Sequence, residues 1–150
     1  MGQVSTALGS DFELSFEGKS YTFSPWKYKV QALFERYLEK EAFDVVNRLS
    51  AHLTVDERKE MKAIVIRDVA VGTYTFGSPE LMRALQSNRH AKKFIEFALK
   101  VNHPEVNEEF VDRLYDSKAG EIWDGVNAVG GSGSEDETDP LKGTMSPEKS

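Results

Sequence analysis

The chain contains no cysteine. That absence removes disulfides, thiolate metal sites and cysteine nucleophiles together. It fits a reducing compartment. No apolar run approaches the length needed to span a bilayer, so no membrane partner is expected. The first residues lack a basic region followed by an apolar stretch, and a secretory signal is not expected either. Met1-Gly2-Gln3-Val4-Ser5-Thr6 does match the short N-myristoylation pattern, which is too short to carry weight alone. There is no surplus of positive charge. The formal net charge is −6, against the basic face that general nucleic-acid binding requires.

Catalytic patterns are missing too. His52, His90 and His103 stand far apart, and no carboxylate beside them completes a metal-site spacing. They read as surface or helix-end residues. Gly72 and Gly77 have the spacing of a phosphate-binding loop, but Ser78-Pro79 stands where lysine and Ser/Thr are needed. No serine sits in an elbow motif. The acids fall on expected wet helix faces or in the tail. Neither an enzyme nor a cofactor or metal site is expected.

What the sequence does contain is a change of character near residue 129. Beyond it come Gly130-Gly131-Ser132-Gly133-Ser134 and then Glu135-Asp136-Glu137-Thr138-Asp139-Pro140. Residues 130–150 hold five acids and two lysines, and half the net charge with them (−3). Such a stretch has little to bury and is expected to be disordered. Residues 1–10 are expected to be a mobile terminus. The ordered domain is therefore placed at 11–129, enough for one core.

Within it, Phe12, Leu14 and Phe16 alternate with Glu13 and Ser15. Tyr21 and Phe23 alternate with Ser20 and Thr22. The two runs flank Glu17-Gly18-Lys19, so a β-hairpin with one apolar face is expected. A lone hairpin is marginal in water, so that face must lie on helices. Ser24-Pro25 reads as a helix cap and first position. Val30, Leu33, Phe34, Tyr37, Leu38, Val45, Val46 and Leu49 then recur at helical spacing, to an end near His52. Thr54 and Glu57 form a capping box for a helix ended by Gly72. Ser78-Pro79-Glu80 opens another. Ala91, Phe94, Ile95, Ala98 and Val101 form a stripe, with Lys92, Glu96 and Lys100 on the wet side. His103-Pro104 stops it. Asn107 caps the next helix, Gly120 punctuates, and Ile122, Trp123, Val126 and Val129 suggest a last one. The expected fold is mainly α: an N-terminal hairpin and a bundle of five to six helices.

Aromatics off the main stripes are the candidate partner-binding residues: Trp26, Tyr28, Phe43, Phe76 and Trp123. The competing reading makes such rings cover for the hairpin.

The order of these elements resembles the tail assembly chaperones of long-tailed bacteriophages. The resemblance spans residues 11–129. It rests on the hairpin Phe12–Phe23, the run Phe94-Ile95-Glu96-Phe97-Ala98-Leu99-Lys100, and the His103-Pro104-Glu105-Val106 turn. The helix Asn107–Leu114 and the run Glu121-Ile122-Trp123 complete it. The acidic tail fits the resemblance too, since members of that family often end in a mobile segment that a ribosomal frameshift extends. The resemblance implies a non-enzymatic protein of the host cytoplasm, absent from the mature virion. It would bind the tape measure protein, a long apolar helical chain, and keep it soluble during tail-tube assembly. The tail-tube protein is a second implied contact, and self-association into rings or spirals is compatible. The rival readings are a structural tail or head-completion protein, a small helical adaptor, and a small enzyme with a site built from scattered carboxylates.

Overall fold

The computed structural model describes residues 11–136, with side chains to residue 130. It is mainly helical, with an N-terminal two-stranded hairpin followed by five helices among the described residues. The strands are β1 (Phe12–Phe16) and β2 (Lys19–Phe23). The helices are α1 (Tyr28–Leu49), α2 (Val55–Ala70), α3 (Pro79–Ala84), α4 (Asn88–Lys100) and α5 (Glu108–Asp136), with a 3-10 turn at Ser50–His52. The chain divides into two compact units. Of the described residues, 11–30 and 94–136 belong to one, and 31–93 to the other. The expected mobile residues 1–10, and the tail from residue 137, lie outside the described residues. The α5 bounds reach into the stretch that the sequence assigns to the tail.

The first unit is built on the hairpin. Its strands pair antiparallel with Phe12 opposite Phe23 and Phe16 opposite Lys19. Glu17 (φ 53°) and Gly18 (φ 79°) both have positive φ. Two such central residues make a type I′ turn, whose twist matches that of the strands. Glycine takes this conformation freely and glutamate does not. The strain at Glu17 sits beside an anchor: Arg113 on α5 donates to both its carboxylate oxygens, at 3.1 and 3.3 Å.

The apolar face of the hairpin is covered as the alternation requires. Phe12 stacks on Phe23 with centroids 4.9 Å apart. Phe110 of α5 packs on Phe16 at 5.7 Å and on Tyr21 at 5.1 Å. Two glycines let α5 come close. A Cβ on Gly125 would stand 2.4 Å from the Phe12 ring, and one on Gly130 2.3 Å from Trp26 Nε1. Gly130 is thus part of the packed unit, not the first residue past it.

Three sequence expectations are corrected here. Ser24 does not cap a helix and Pro25 does not begin one, because α1 starts at Tyr28. Ser24 is buried; its N–H donates to Ala98 C=O at 3.0 Å and its Oγ accepts from Asn102 Nδ2 at 2.9 Å. A tertiary partner replaces the helical one. Glu96 is not on a wet face but only 7% exposed. Ala91, Phe94, Ile95, Ala98 and Leu99 are all buried, so most of α4's circumference is enclosed, and Lys100 reaches back to Glu96 Oε2 at 3.0 Å. The interruption expected at Gly120 falls at Lys118, where φ −127° and ψ 21° leave the helical region.

The second unit shows its punctuation in full. Thr54 Oγ1 accepts from Glu57 N–H and Glu57 Oε1 accepts from Thr54 N–H, completing the capping box. Past α2, Gly72 has φ 80°, Gly72 N–H reaches Val69 C=O and Thr73 N–H reaches Asp68 C=O. This pair of bonds is a Schellman cap. Ser78 caps α3 with Pro79 in its first turn. Asn107 likewise caps α5, accepting from Phe110 N–H at 2.9 Å in the first unit.

The glycines of α5 separate propensity from packing. A Cβ at Gly120 meets nothing within 4 Å. Gly120→Ala should raise stability by about 0.5–1 kcal/mol, the helix-interior difference between the two residues. Gly125→Ala should instead lower it by roughly 1–3 kcal/mol, because the Phe12 ring must move off Phe23. Urea unfolding of the two variants checks the opposite signs.

Candidate interaction surfaces

In the first unit, Trp26 and Trp123 lie on either side of Phe94, with centroids 6.1 and 6.2 Å away. Both indoles are half-buried and both donors are engaged. Trp26 Nε1–H donates to Val126 C=O at 3.1 Å, a carbonyl within α5. The missing side chain of Gly130, four residues on, leaves the ring room to reach it. Trp123 Nε1–H donates to Tyr115 Oη at 2.6 Å, a bond that spans the Lys118 irregularity. Tyr28 differs from both: its side chain is 88% exposed.

The same unit holds a polar clamp. Thr22 N–H donates to His103 Nε2 at 2.9 Å, and Thr22 C=O accepts from Asn102 Nδ2 at 3.2 Å. An accepting Nε2 requires the neutral imidazole with its proton on Nδ1, which faces Glu105 Oε2 at 3.9 Å. His103 is therefore not a plain turn residue. It holds the edge of β2.

In the second unit, Phe76 is half-buried against Phe34, at 6.1 Å, and its N–H donates to Glu35 Oε2 at 2.9 Å. Phe43 is half-buried on α1. Of the five candidate aromatics, only Tyr28 is fully presented to solvent.

The sequence reading missed a larger feature of this unit. Its buried apolar side chains are Phe34, Leu38, Val46, Val65, Leu81 and Ala91. Its exposed large ones are Leu49, Val55, Ile64, Ile66, Val71 and Met82. On α2 only Val65 is buried. At 3.6 residues per turn, Ile64 and Val71 share one line along the helix, Val55 and Ile66 share another, and Val65 runs between them. Glu57 and Glu60 flank the first line; Lys59 and Lys62 flank the second. The helix has a wide apolar arc of which the centre alone is covered. The signal was in the sequence. The apolar residues of 55–71 are too widely spread around the helix for one narrow stripe.

No family profile, curated protein or solved structure matches this chain. The described residues contain no group of three or more His, Asp and Glu side chains able to hold a metal ion. No helix among them is long and apolar enough to cross a membrane.

One titratable cluster is assembled in the second unit. Tyr37 Oη lies 3.0 Å from His90 Nδ1, Lys93 stands over the Tyr37 ring, and Arg89 pairs with Glu41. Burial, and then the neighbouring Arg89 charge, push the His90 imidazole below its ordinary value, while Glu41 pulls the other way. The folded chain therefore binds this proton less readily than the unfolded chain, whose imidazole titrates near about 6.5. Where the unfolded chain holds the extra proton, stability rises with pH. The contribution of His90 is complete above about pH 6.5 and is lost as pH falls from there through the lower folded value. Comparing denaturation midpoints of the wild type and His90→Gln at about pH 7 and about pH 5.5 should show a smaller drop in the variant.

Proposed function

We propose that this chain is a tail assembly chaperone of a long-tailed bacteriophage, which binds the tape measure protein and keeps it soluble while the tail tube assembles. The hairpin, the Phe94–Lys100 helix, the His103-Pro104 turn and the helix after it carry the resemblance that points to this client. The observation that supports the mode of action is α2. It keeps Val55, Ile64 and Ile66 between 48% and 58% exposed, and Val71 follows at 70%. Large apolar side chains on both shoulders of a water-exposed helix are a liability unless something covers them. An amphipathic client helix laid along α2 would bury one apolar shoulder and meet the charges beside it. The acidic border at Glu57 and Glu60 suits basic residues, and the basic border at Lys59 and Lys62 suits acidic ones. In this reading the protein works in the host cytoplasm, stays out of the mature virion and needs no cofactor.

The test is co-expression. The wild-type chain should raise the soluble yield of a long helical tape measure protein severalfold. The double variant Ile64→Asp/Ile66→Asp should lose that effect. Its own stability should change by no more than about 0.5 kcal/mol per site, since both positions are exposed. A variant that still solubilises the client would rule out α2 as the contact. A wild type with no effect would sink the chaperone reading itself.

A further inference from the structure

Among the described residues, the outer edge of β2 is occupied at Thr22, and the outer edge of β1 is open along its length. Thr22 directs its N–H to His103 and its C=O to Asn102, away from β1. In an antiparallel pair, facing residues either both point inward or both point outward. Thr22 stands opposite Glu13. Glu13 therefore turns its own N–H and C=O outward on the far side of β1, and Ser15, two residues on, does the same. The inward, bonded pairs are Phe12 with Phe23, Leu14 with Tyr21 and Phe16 with Lys19. Among the described residues nothing donates to or accepts from the main chain of Glu13 or Ser15. Both residues are exposed, and Phe12 and Leu14 on the opposite face are only half-buried. An uncovered edge of this kind is a template for another strand.

We propose that this edge pairs with β1 of a second copy, antiparallel about a two-fold axis at Leu14, to form a continuous four-stranded sheet. Self-complementarity singles out this occupant. Outward residues must face outward residues, which leaves three two-fold registers on a five-residue strand. A two-fold axis at Glu13 sets two carboxylates directly opposite each other. Like charges in facing positions are unfavourable. An axis at Ser15 leaves Phe12 and Glu13 with no strand residue opposite. Each of these registers also pairs only part of the strand. The axis at Leu14 pairs the strand from end to end. Glu13 then faces Ser15 of the partner subunit, Leu14 faces Leu14 of the partner subunit, and Phe12 faces Phe16 of the partner subunit. The aromatic and aliphatic pairs fall on the half-buried face, where cross-strand contacts add most. Beyond the strand ends Asp11 would meet Glu17 of the partner subunit. That carboxylate is held by an arginine, as Glu17 is by Arg113 here. The pairing is isologous and closes on itself, and Thr22 on β2's outer edge stays with His103 and Asn102.

The absence of cysteine makes the register directly measurable in the full chain. Leu14 forms a non-bonded facing pair across the axis, with an expected Cα separation of about 4.5 Å, inside the disulfide range. Leu14→Cys should cross-link to dimer under mild oxidation at least about tenfold faster than Glu13→Cys, whose facing residue is a serine. Ser15→Pro removes two outward N–H groups per dimer and none from the hairpin ladder. It should weaken the dimer at least about tenfold in analytical ultracentrifugation, with the helical circular dichroism retained. Two outcomes overturn the proposal. One is a wild-type chain that stays monomeric at its highest soluble concentration. The other is a dimer in which Leu14→Cys and Glu13→Cys cross-link equally.

Discussion

A two-stranded hairpin cannot hold its shape in water by itself, and the first unit is organised around that constraint. Its apolar face carries Phe12, Leu14, Phe16, Tyr21 and Phe23, of which Phe16, Tyr21 and Phe23 are buried. Each remaining feature of the unit serves to hold that face down. Phe110 bridges the two strands, Arg113 grips the turn, and His103 with Asn102 fixes the exit of β2. Ser24 ties the following chain to Ala98. Glycine matters here for what it leaves out. At Gly125 and Gly130 the helix gives up about 1 kcal/mol of propensity per residue, and in exchange the Phe12 and Trp26 rings lie against its backbone.

The second unit follows the opposite logic. Its helix ends are specified by the capping box at Thr54, the Schellman cap at Gly72 and the Ser78-Pro79 start. Each contributes about 1 kcal/mol and fixes where a helix begins or stops. Its core is thin. Large apolar side chains stand outside as well as inside, and α2 contributes Val65 alone to the buried set. Local signals therefore define the shape of this unit more than burial does. That is the condition in which a surface can be lent to another polypeptide without being taken from a core.

This division explains which parts were legible in the sequence. Alternation, caps and proline-marked starts are local, so the hairpin, Thr54, Asn107 and Ser78-Pro79 could be read directly. What failed depended on residues far away in the chain. Ser24 has the chemistry of a cap, but Ala98 and Asn102 claim it. Glu96 lies at the spacing of a solvated ion pair on a helix that turns out to be enclosed. Trp26 and Trp123 look like free anchors until Val126 C=O and Tyr115 Oη are seen to take their donors. Periodicity gives the side of a helix on which apolar groups gather. It does not give how much of that side another element will cover, which is why Ile64 and Ile66 are not among the expected contact residues.

The clamp at Thr22 ties these observations to assembly. A backbone N–H donates to an imidazole nitrogen only when that nitrogen carries no proton. The clamp therefore occupies β2's outer edge at Thr22, where another strand would otherwise add. With Thr22 taken, β1 offers the longer free edge among the described residues, through Glu13 and Ser15. A sheet with a single open edge, paired about a two-fold axis, stops at four strands. The same hairpin with both edges open would be a template for indefinite growth. Histidine and asparagine at 103 and 102 therefore bear on the size of any assembly as well as on the stability of one chain. That role needs both a donor and an acceptor aimed at a single residue. Neither a proline-marked turn alone nor an apolar contact could supply it.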